Sequence, residues 1–553
     1  MGADRQGRAA LAGVAGLVLA LLAGCSSGGG TVDRGSTPSA VVPHTAAPAT
    51  AKAAAVPLLG LVPLPSQLRR LGGAGYPVTA ATPVRAEGGA AATTVAGDLA
   101  RLLRPSTGLA LPVEGTGSAK AGAMKAGAAG GIALKLDAAA GTGAEGYRLD
   151  AGPTGVVITA TSAAGLYHGA QTLRQLLPAK GPGTVPAVAI TDQPRYGFRS
   201  GGLDVARHFF PVSAVEDYID LLAQYKFNQL RLHLSDDQGW RIAVPGLPRL
   251  TGIGASTQTG GGGGGFYTDA QYRQLVAYAA ARFITVVPEV DLPGHSNAAL
   301  TAYPDLGCAG DAPAHPYTGM DVGFSRVCTT KESTYTFVDQ VVSALADMTP
   351  GRYIGIGGDE AKTLSASAYA SFMARASAIV RKHGKQPLAW DDAATAGKGG
   401  PALLGVWHPE AQQPAGLDGQ VVAAAKRGAK LVMEPADHAY LDQKYDPSTT
   451  LGLEWAGDIS VERSYNWNPD TYLPGLPAGS VAGVEAPVWS ETLTNTDDLD
   501  TMLLPRLPAL AEVAWTPAAD RYWDEFQQRL ADQAPYWDAQ GLVYTKAAGV
   551  PWK

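Results

Sequence analysis

From about residue 197 onward, short apolar runs alternate with stretches of helical spacing. The runs Gly201–Val205, Gln229–Leu234, Thr285–Glu289, Tyr353–Gly357, Pro387–Trp390, Leu403–Trp407, Lys430–Met433 and Val481–Val488 are bounded by turn residues and read as strands. Val215–Tyr225, Asp269–Arg282 and Tyr335–Met348 repeat apolar residues at intervals of three and four, which predicts helices between them. Strand–helix alternation repeated eight times over roughly 320 residues predicts an α/β chain folded as a closed (β/α)₈ barrel, spanning 197–530. The alternative for the same elements is an open doubly wound sheet. Residues 531–553 are expected to pack on the barrel as a C-terminal extension.

Residues 56–190 carry a different pattern. Val95, Leu99, Leu102 and Leu103 fall on one helical face, and Ala163–Leu177 is a second amphipathic helix. Ile132–Leu136, Tyr147–Leu149 and Gly155–Ala160 read as strands. This predicts a small α+β domain ahead of the barrel. An Ala/Gly/Lys-rich insertion, 119–131, interrupts it. It holds no constellation of reactive side chains, so its expected role is structural.

The first 25 residues read as a targeting segment, with Arg5 and Arg8 ahead of an apolar stretch from Ala9 to Ala23. Leu22-Ala23-Gly24-Cys25 resembles a bacterial lipobox. The resemblance implies that Cys25 is lipidated, becomes the mature N-terminus and anchors an exported protein to the outer face of the cytoplasmic membrane. An ordinary signal peptide with an incidental cysteine is the alternative. Residues 26–55, rich in Ser, Thr, Pro, Ala and Gly, read as a flexible tether. In an oxidising compartment Cys308 and Cys328 are candidates for a disulfide, closing a loop worth on the order of 3 kcal/mol. Two free thiols are the alternative, and no His pair stands near them to make a zinc site. The net charge of −6 gives no support to nucleic-acid binding.

Chemistry collects where the predicted strands end, which is where a barrel carries its active site. Asp204 and Arg207-His208 follow the first strand, and His233-Leu234-Ser235-Asp236-Asp237 closes the second. Glu289-Val290-Asp291-Leu292-Pro293-Gly294-His295 closes the third. Gly357-Gly358-Asp359-Glu360 follows the fourth, Trp390-Asp391-Asp392 the fifth and Trp407-His408 the sixth. Tyr440 and Asp442 follow the seventh, and Trp489-Ser490-Glu491 the eighth. Neighbours in a strand point to opposite faces, so Asp359 and Glu360 share one site only if the backbone leaves strand geometry there. Gly-Gly-Asp-Glu also resembles the tetrapeptide of diguanylate cyclases, but there it lies on a hairpin before Phe, and here Ala361 follows. Carboxylates, one Arg and several Trp, with no evident Ser or Cys nucleophile, point to sugar cleavage. Asp291 with His295 reads as a metal pair or as a carboxylate–imidazole hydrogen bond.

Leu203–Phe210, His233–Trp240, Pro288–His295, Gly357–Ala361 and Glu485–Glu491 together resemble the β-N-acetylhexosaminidases of glycoside hydrolase family 20. The resemblance covers residue 56 to about 530. It implies exo-acting, retaining hydrolysis of terminal β-linked N-acetylglucosamine or N-acetylgalactosamine from an oligosaccharide or glycoconjugate. The substrate's own acetamido oxygen would attack the anomeric carbon, a route that sets the family apart from two-carboxylate glycosidases. Glu360 would be the general acid, Asp359 would hold the acetamido nitrogen, and Tyr440 the acetamido carbonyl. Trp390, Trp407 and Trp489 would wall the pocket, and Arg207, Asp442 and Glu491 would bind ring hydroxyls. Asp236, Asp291 and His295 would orient and tune the acid. No cofactor and no metal are implied. One departure stands out: the family usually has His where this chain has Gly355, which leaves room for water or a neighbouring side chain. The competing class is a sugar-binding lipoprotein without catalysis.

Overall fold

The computed structural model describes residues 59–115 and 130–553. The targeting segment 1–25, the tether 26–55 with Cys25, and residues 119–129 of the insertion lie outside the described residues.

Eight strands close into a barrel: β1 (Phe198–Asp204), β2 (Gln229–His233), β3 (Thr285–Glu289), β4 (Tyr353–Gly355), β5 (Gln386–Trp390), β6 (Leu403–Val406), β7 (Lys430–Met433) and β8 (Val481–Val488). Every neighbouring pair is parallel, and β1 closes the ring on β8 with Phe198 opposite Gly483. Closure excludes the open doubly wound sheet. Two strand bounds differ from the sequence expectation by more than one residue, each for a physical reason. β1 starts earlier because Phe198 joins Val287, Leu388, Leu403 and Val432 in an apolar layer at the barrel floor. β4 stops at Gly355 instead of Gly357 because Gly357 takes φ 64°, outside strand conformations.

Above that floor lies a charged layer. Arg231 of β2 meets Glu289 of β3 (3.3 Å), Glu485 of β8 (2.5 Å) and Glu434 just past β7, and all four are fully buried. Three inward-facing glycines make the room. A Cβ at Gly202 would lie 2.7 Å from Glu485 Oε1, one at Gly355 2.7 Å from Glu289 Cγ, and one at Gly405 would overlap Glu434. The space opened by Gly355 is therefore filled by the neighbouring side chain of Glu289. Three carboxylates around one guanidinium cannot all be ionised cheaply in a dry interior. Accordingly, burial and mutual repulsion push Glu434 well above the ordinary carboxylate range despite Arg231.

Ahead of the barrel, Gln67–Arg70, Val84–Glu87, Val113–Glu114, Ile132–Leu136, Tyr147–Gly152, Gly155–Ala160 and Val188–Asp192 form one seven-stranded mixed sheet. Helices Ala90–Thr107 and Ala163–Gln175 pack on it, burying Val95, Leu99, Leu103, Leu166 and Leu173. This domain and the barrel form one compact unit. Asp192 sits at their junction, accepting from Tyr147 Oη (2.7 Å), Lys226 Nζ (3.0 Å), Trp515 Nε1 (2.9 Å) and the Ser66 amide (3.0 Å). The C-terminal segment ties in as well. Trp537 Nε1 donates to Tyr225 Oη (2.8 Å), and Gln533 donates to Gly60 O (2.5 Å). Cys308 and Cys328 are joined as a disulfide in the long segment after β3.

Candidate active site

The paired acids share a pocket because the chain turns immediately after β4. Gly357 (φ 64°), Gly358 (φ 105°) and Glu360 (φ 48°) all take left-handed conformations. At Gly357 a Cβ would overlap the Asp291 carboxylate, so only glycine fits. Asp291 Oδ1 in turn accepts from the Gly358 amide (3.0 Å), and Tyr369 Oη donates to Gly358 O (2.5 Å). Glu360 is not glycine, so its left-handed backbone is strained and held by these surroundings. The result is that Asp359 and Glu360 converge on one imidazole, with His295 Nε2 at 3.5 Å from Asp359 Oδ2 and 3.5 Å from Glu360 Oε2.

Behind that imidazole runs an ordered chain of alternating charge. His295 Nδ1 bonds Asp236 Oδ1 (3.1 Å), Asp236 Oδ2 bonds His233 Nε2 (2.9 Å), and His233 Nδ1 bonds Glu289 Oε1 (2.9 Å). Glu289 then reaches Arg231 and the charged layer. Burial alone would lower both imidazoles. The carboxylates outweigh it, raising His295 well above its ordinary value and His233 to about 9. Burial would raise Asp236, but Arg207, whose Nη2 lies 2.9 Å away, and His295 hold it well below the carboxylate range.

The two acids are driven apart. Burial, and then the charge of Asp291, push Asp359 well above its ordinary value, with His295 opposing. Burial raises Asp291 to about 6. Burial also raises Glu360, but hydrogen bonds from His295 and from Lys362 Nζ (2.8 Å to Oε1) win and leave it lowered. Neighbouring carboxylates separated in this way can take different roles.

Aromatic faces enclose the rest. Trp489 lies 5.7 Å from Trp390 and 5.9 Å from Tyr440, ring centre to ring centre, and Arg207 stacks on it at 5.0 Å. Trp407 donates from Nε1 to Asp392 Oδ2 (3.1 Å). Asp442 Oδ1 accepts from the Trp489 amide (3.3 Å). Trp390 also lies over Arg231 at 3.8 Å, so the charged layer supports the pocket floor. Asp359 Oδ1, Trp390 Nε1, Trp489 Nε1 and Glu491 Oε2 are buried without a partner, donors and acceptors that a polar ligand would satisfy.

The structure thus gathers all twelve residues named from the sequence around the C-terminal mouth of the barrel. The sequence reading gave no role to His233, Glu289 or Asp392, and Lys362 and Trp455 escaped it altogether. Trp455 stands 6.0 Å from Trp407 and 5.9 Å from Tyr440, ring centre to ring centre. The hydrogen bond expected between Asp291 and His295 is formed by Asp236 instead, with Asp291 accepting from the Gly358 amide, and Asp391–His408 (2.9 Å) is a second carboxylate–imidazole pair.

The comparisons agree with this geometry. Residues 196–518 match the model of the glycosyl hydrolase family 20 catalytic domain, and residues 59–193 match that family's domain 2. A β-N-acetylhexosaminidase of Cellulomonas fimi is 44% identical over 499 residues, covering 90% of this chain and 98% of the relative. A β-hexosaminidase of Akkermansia muciniphila is 33% identical over 71% of this chain and 83% of its own length. Among solved structures, the Streptomyces plicatus N-acetyl-β-hexosaminidase in complex with Thio-NAglucal superposes with TM-score 0.85 at 49% identity, covering 90% of this chain and 98% of that one. With the barrel closed, the small domain in place and the acid pair turned into one aromatic-walled mouth, the chain belongs to glycosyl hydrolase family 20.

Proposed function

We propose that the protein removes terminal, non-reducing β-linked N-acetylhexosamine residues with retention of configuration, using the substrate's acetamido group as nucleophile. The observation that carries this reading is the turn after β4, which puts two adjacent carboxyls against the same imidazole. Side chains one residue apart cannot lie on opposite faces of a sugar ring, so Asp359 does not attack across from Glu360. Glu360 donates the proton to the glycosidic oxygen. Asp359 bonds the acetamido N–H and Tyr440 the carbonyl, so that the carbonyl oxygen closes on the anomeric carbon and forms an oxazolinium ion. Water then opens that ion, with Glu360 as the base. Trp390, Trp407 and Trp489 hold the acetamide and the sugar face, while Arg207, Asp442 and Glu491 bind hydroxyls. Asp236, Asp291 and His295 fix the two acids. The relatives support the assignment. The Streptomyces plicatus enzyme was solved with Thio-NAglucal, and a variant of it with GlcNAc as product.

Trapping with a 2-fluoro sugar lacking the acetamide tests the mechanism. No protein adduct is expected, and a glycosyl ester on any carboxylate would overturn it. Turnover of a chromogenic N-acetylglucosaminide separates an enzyme from a sugar-binding protein of the same fold.

The same reading extends to location. Leu22-Ala23-Gly24-Cys25 supports export with a lipid on Cys25, and the Cys308–Cys328 bond fits an oxidising compartment. The expected outcome is a membrane-fractionating protein whose Cys25→Ala variant is released or left uncleaved. An unmodified mature N-terminus by mass spectrometry would refute the anchor.

A further inference from the structure

Lys362 stands two residues beyond the acid and pairs with it, Nζ to Glu360 Oε1 at 2.8 Å. It is no incidental neighbour. The Lys362 amide bonds back to Glu360 O (2.6 Å), which folds the lysine over the acid. Its stem runs across Gly323, where a Cβ would come within 2.8 Å of Lys362 Cδ. Past Lys362 opens a cavity of about 460 Å³ lined by Glu360, Asp392, Thr395, Trp407, His408 and Gln420 among others. Among the described residues, Lys362 is the one lysine or arginine in that lining. The cavity borders the Glu360 carboxyl, the group that protonates the leaving oxygen in the function proposed above, and Lys362 stands at that border.

The pairing conflicts with catalysis. A general acid must be protonated when it acts. Protonating Glu360 removes the counter-ion of Lys362, leaving an unpaired ammonium at the mouth. A negative group on the leaving sugar would restore the pair, and in doing so would draw Lys362 off Glu360 and favour its acid form. By linkage, whatever binds Lys362 and whatever protonates Glu360 help each other.

We propose that Lys362 is a specificity-determining residue of an anion-accepting leaving-group site, favouring N-acetylhexosaminides whose next sugar carries a carboxylate, sulfate or phosphate. The proposal rests on Glu360 being the acid of the function given above. The groups facing Glu360 are Asp359 and Lys362 from its own turn and His295, backed by Asp236, from the loop after β3. Asp392 from the loop after β5 and His408 after β6 share the cavity lining. Of these, only Lys362 is largely solvent-exposed, at 62%.

The test uses the full-length protein and two disaccharides of the same linkage, N-acetylglucosamine on glucose and on glucuronic acid. The wild type should show a several-fold higher kcat/KM for the anionic one. Lys362→Met should bring the ratio near one, and Lys362→Glu should invert it. In Lys362→Met the alkaline limb of kcat/KM, which reports the free enzyme, should also move up by roughly 0.2–0.7 pH unit, the span expected of an exposed ion pair. The limb of kcat on the anionic substrate should move less, because there the lysine has already left the acid. A wild-type ratio of one, or a ratio unaltered by both substitutions, overturns the proposal. Absence of turnover on either disaccharide and on a simple aryl N-acetylglucosaminide would instead overturn the function on which it rests.

Discussion

Two regions of this molecule bury charge, and they treat it oppositely. At the junction of the small domain and the barrel, the buried carboxylates Asp192 and Glu512 are saturated. Asp192 accepts five hydrogen bonds. Glu512 likewise accepts from Arg529 through both oxygens, from Tyr465 Oη (3.1 Å) and from the Leu64 amide (3.0 Å). At the barrel mouth the same chemical groups are left short: Asp359 Oδ1 and Glu491 Oε2 have no partner, and neither do two indole N–H groups. Satisfied buried charge fixes how parts dock, whereas unsatisfied buried charge is a standing cost that a ligand can relieve. The difference separates residues that hold the fold from residues that do the work.

The largest effect should follow from touching the mouth. Glu360→Gln removes the acid proton and should lower turnover of substrates with poor leaving groups by about 10²–10⁴-fold, less for activated aryl glycosides. Its melting temperature should fall only modestly, since the Lys362 pair is exposed and the long contact with buried His295 is the one interaction of weight that is lost. A variant that loses activity by unfolding would break the comparison, and paired kinetics and calorimetry would show it. The junction should behave in reverse. Asp192→Ala strands Lys226 in a dry interior and should cost about 3–5 kcal/mol of stability. The kcat of the molecules that remain folded should be unaltered. Denaturant titration and active-site counting check both halves, and a kcat loss without a stability loss would contradict them.

Between the two regions lies the charged layer, and Gly355→Ala tests to which it belongs. The added Cβ meets the Glu289 side chain at 2.7 Å and should cost roughly 1–3 kcal/mol as overpacking. Because Glu289 also anchors His233, a structural layer predicts lost stability alone. A layer coupled to the acids predicts a shifted pH–rate profile as well, measured at a temperature where the variant is folded.

These regions were not equally legible in the chain. The eight strands could be read because a barrel strand is buried on both faces and so stands out as an apolar run between amphipathic helices. The place of the site could be read because residues just past barrel strands converge, while the choice of Asp236, Asp291, Asp359, Trp407, Asp442 and Glu491 among them came from the family resemblance. The charged layer could not be read. Arg231 and Glu485 are 254 residues apart, and each alone resembles a solvated strand position. Only closure of the barrel brings them together. Arg199 received no reading from the sequence either, because its partner Glu145, at 2.7 Å, lies in the small domain and only docking brings the two together. Trp455 sits outside any strand, and Lys362 is as exposed as its type suggests, so neither carried a signal.

The smallest effect is the dependence of stability on pH, and the contrast between the regions sets its sign. Burial lifts Asp291 and Asp442 to about 6 and Asp392 and Glu491 to about 7, each above its unfolded value. For a carboxyl whose folded pKa is raised, the folded state holds the proton more tightly. The stabilisation it contributes is complete below the unfolded pKa, near 4, and is lost as pH rises through the folded value. The mouth should therefore make the ligand-free protein less stable at pH 7.5 than at pH 5. Asp236 and Glu289 are lowered instead, so their contribution holds through this window and fades only in more acid solution. Glu491→Gln isolates the effect, because Glu491 Oε2 has no partner to lose. The variant should match the wild type at pH 4.5 and exceed it at pH 7.5, flattening the slope by at most about 1.4 kcal/mol per pH unit, the limit for one proton. Urea midpoints across this range measure it. A variant less stable than the wild type at pH 7.5 would mean that the Glu491 charge is already compensated in the free enzyme, and that the mouth is not the unsatisfied region the geometry makes it.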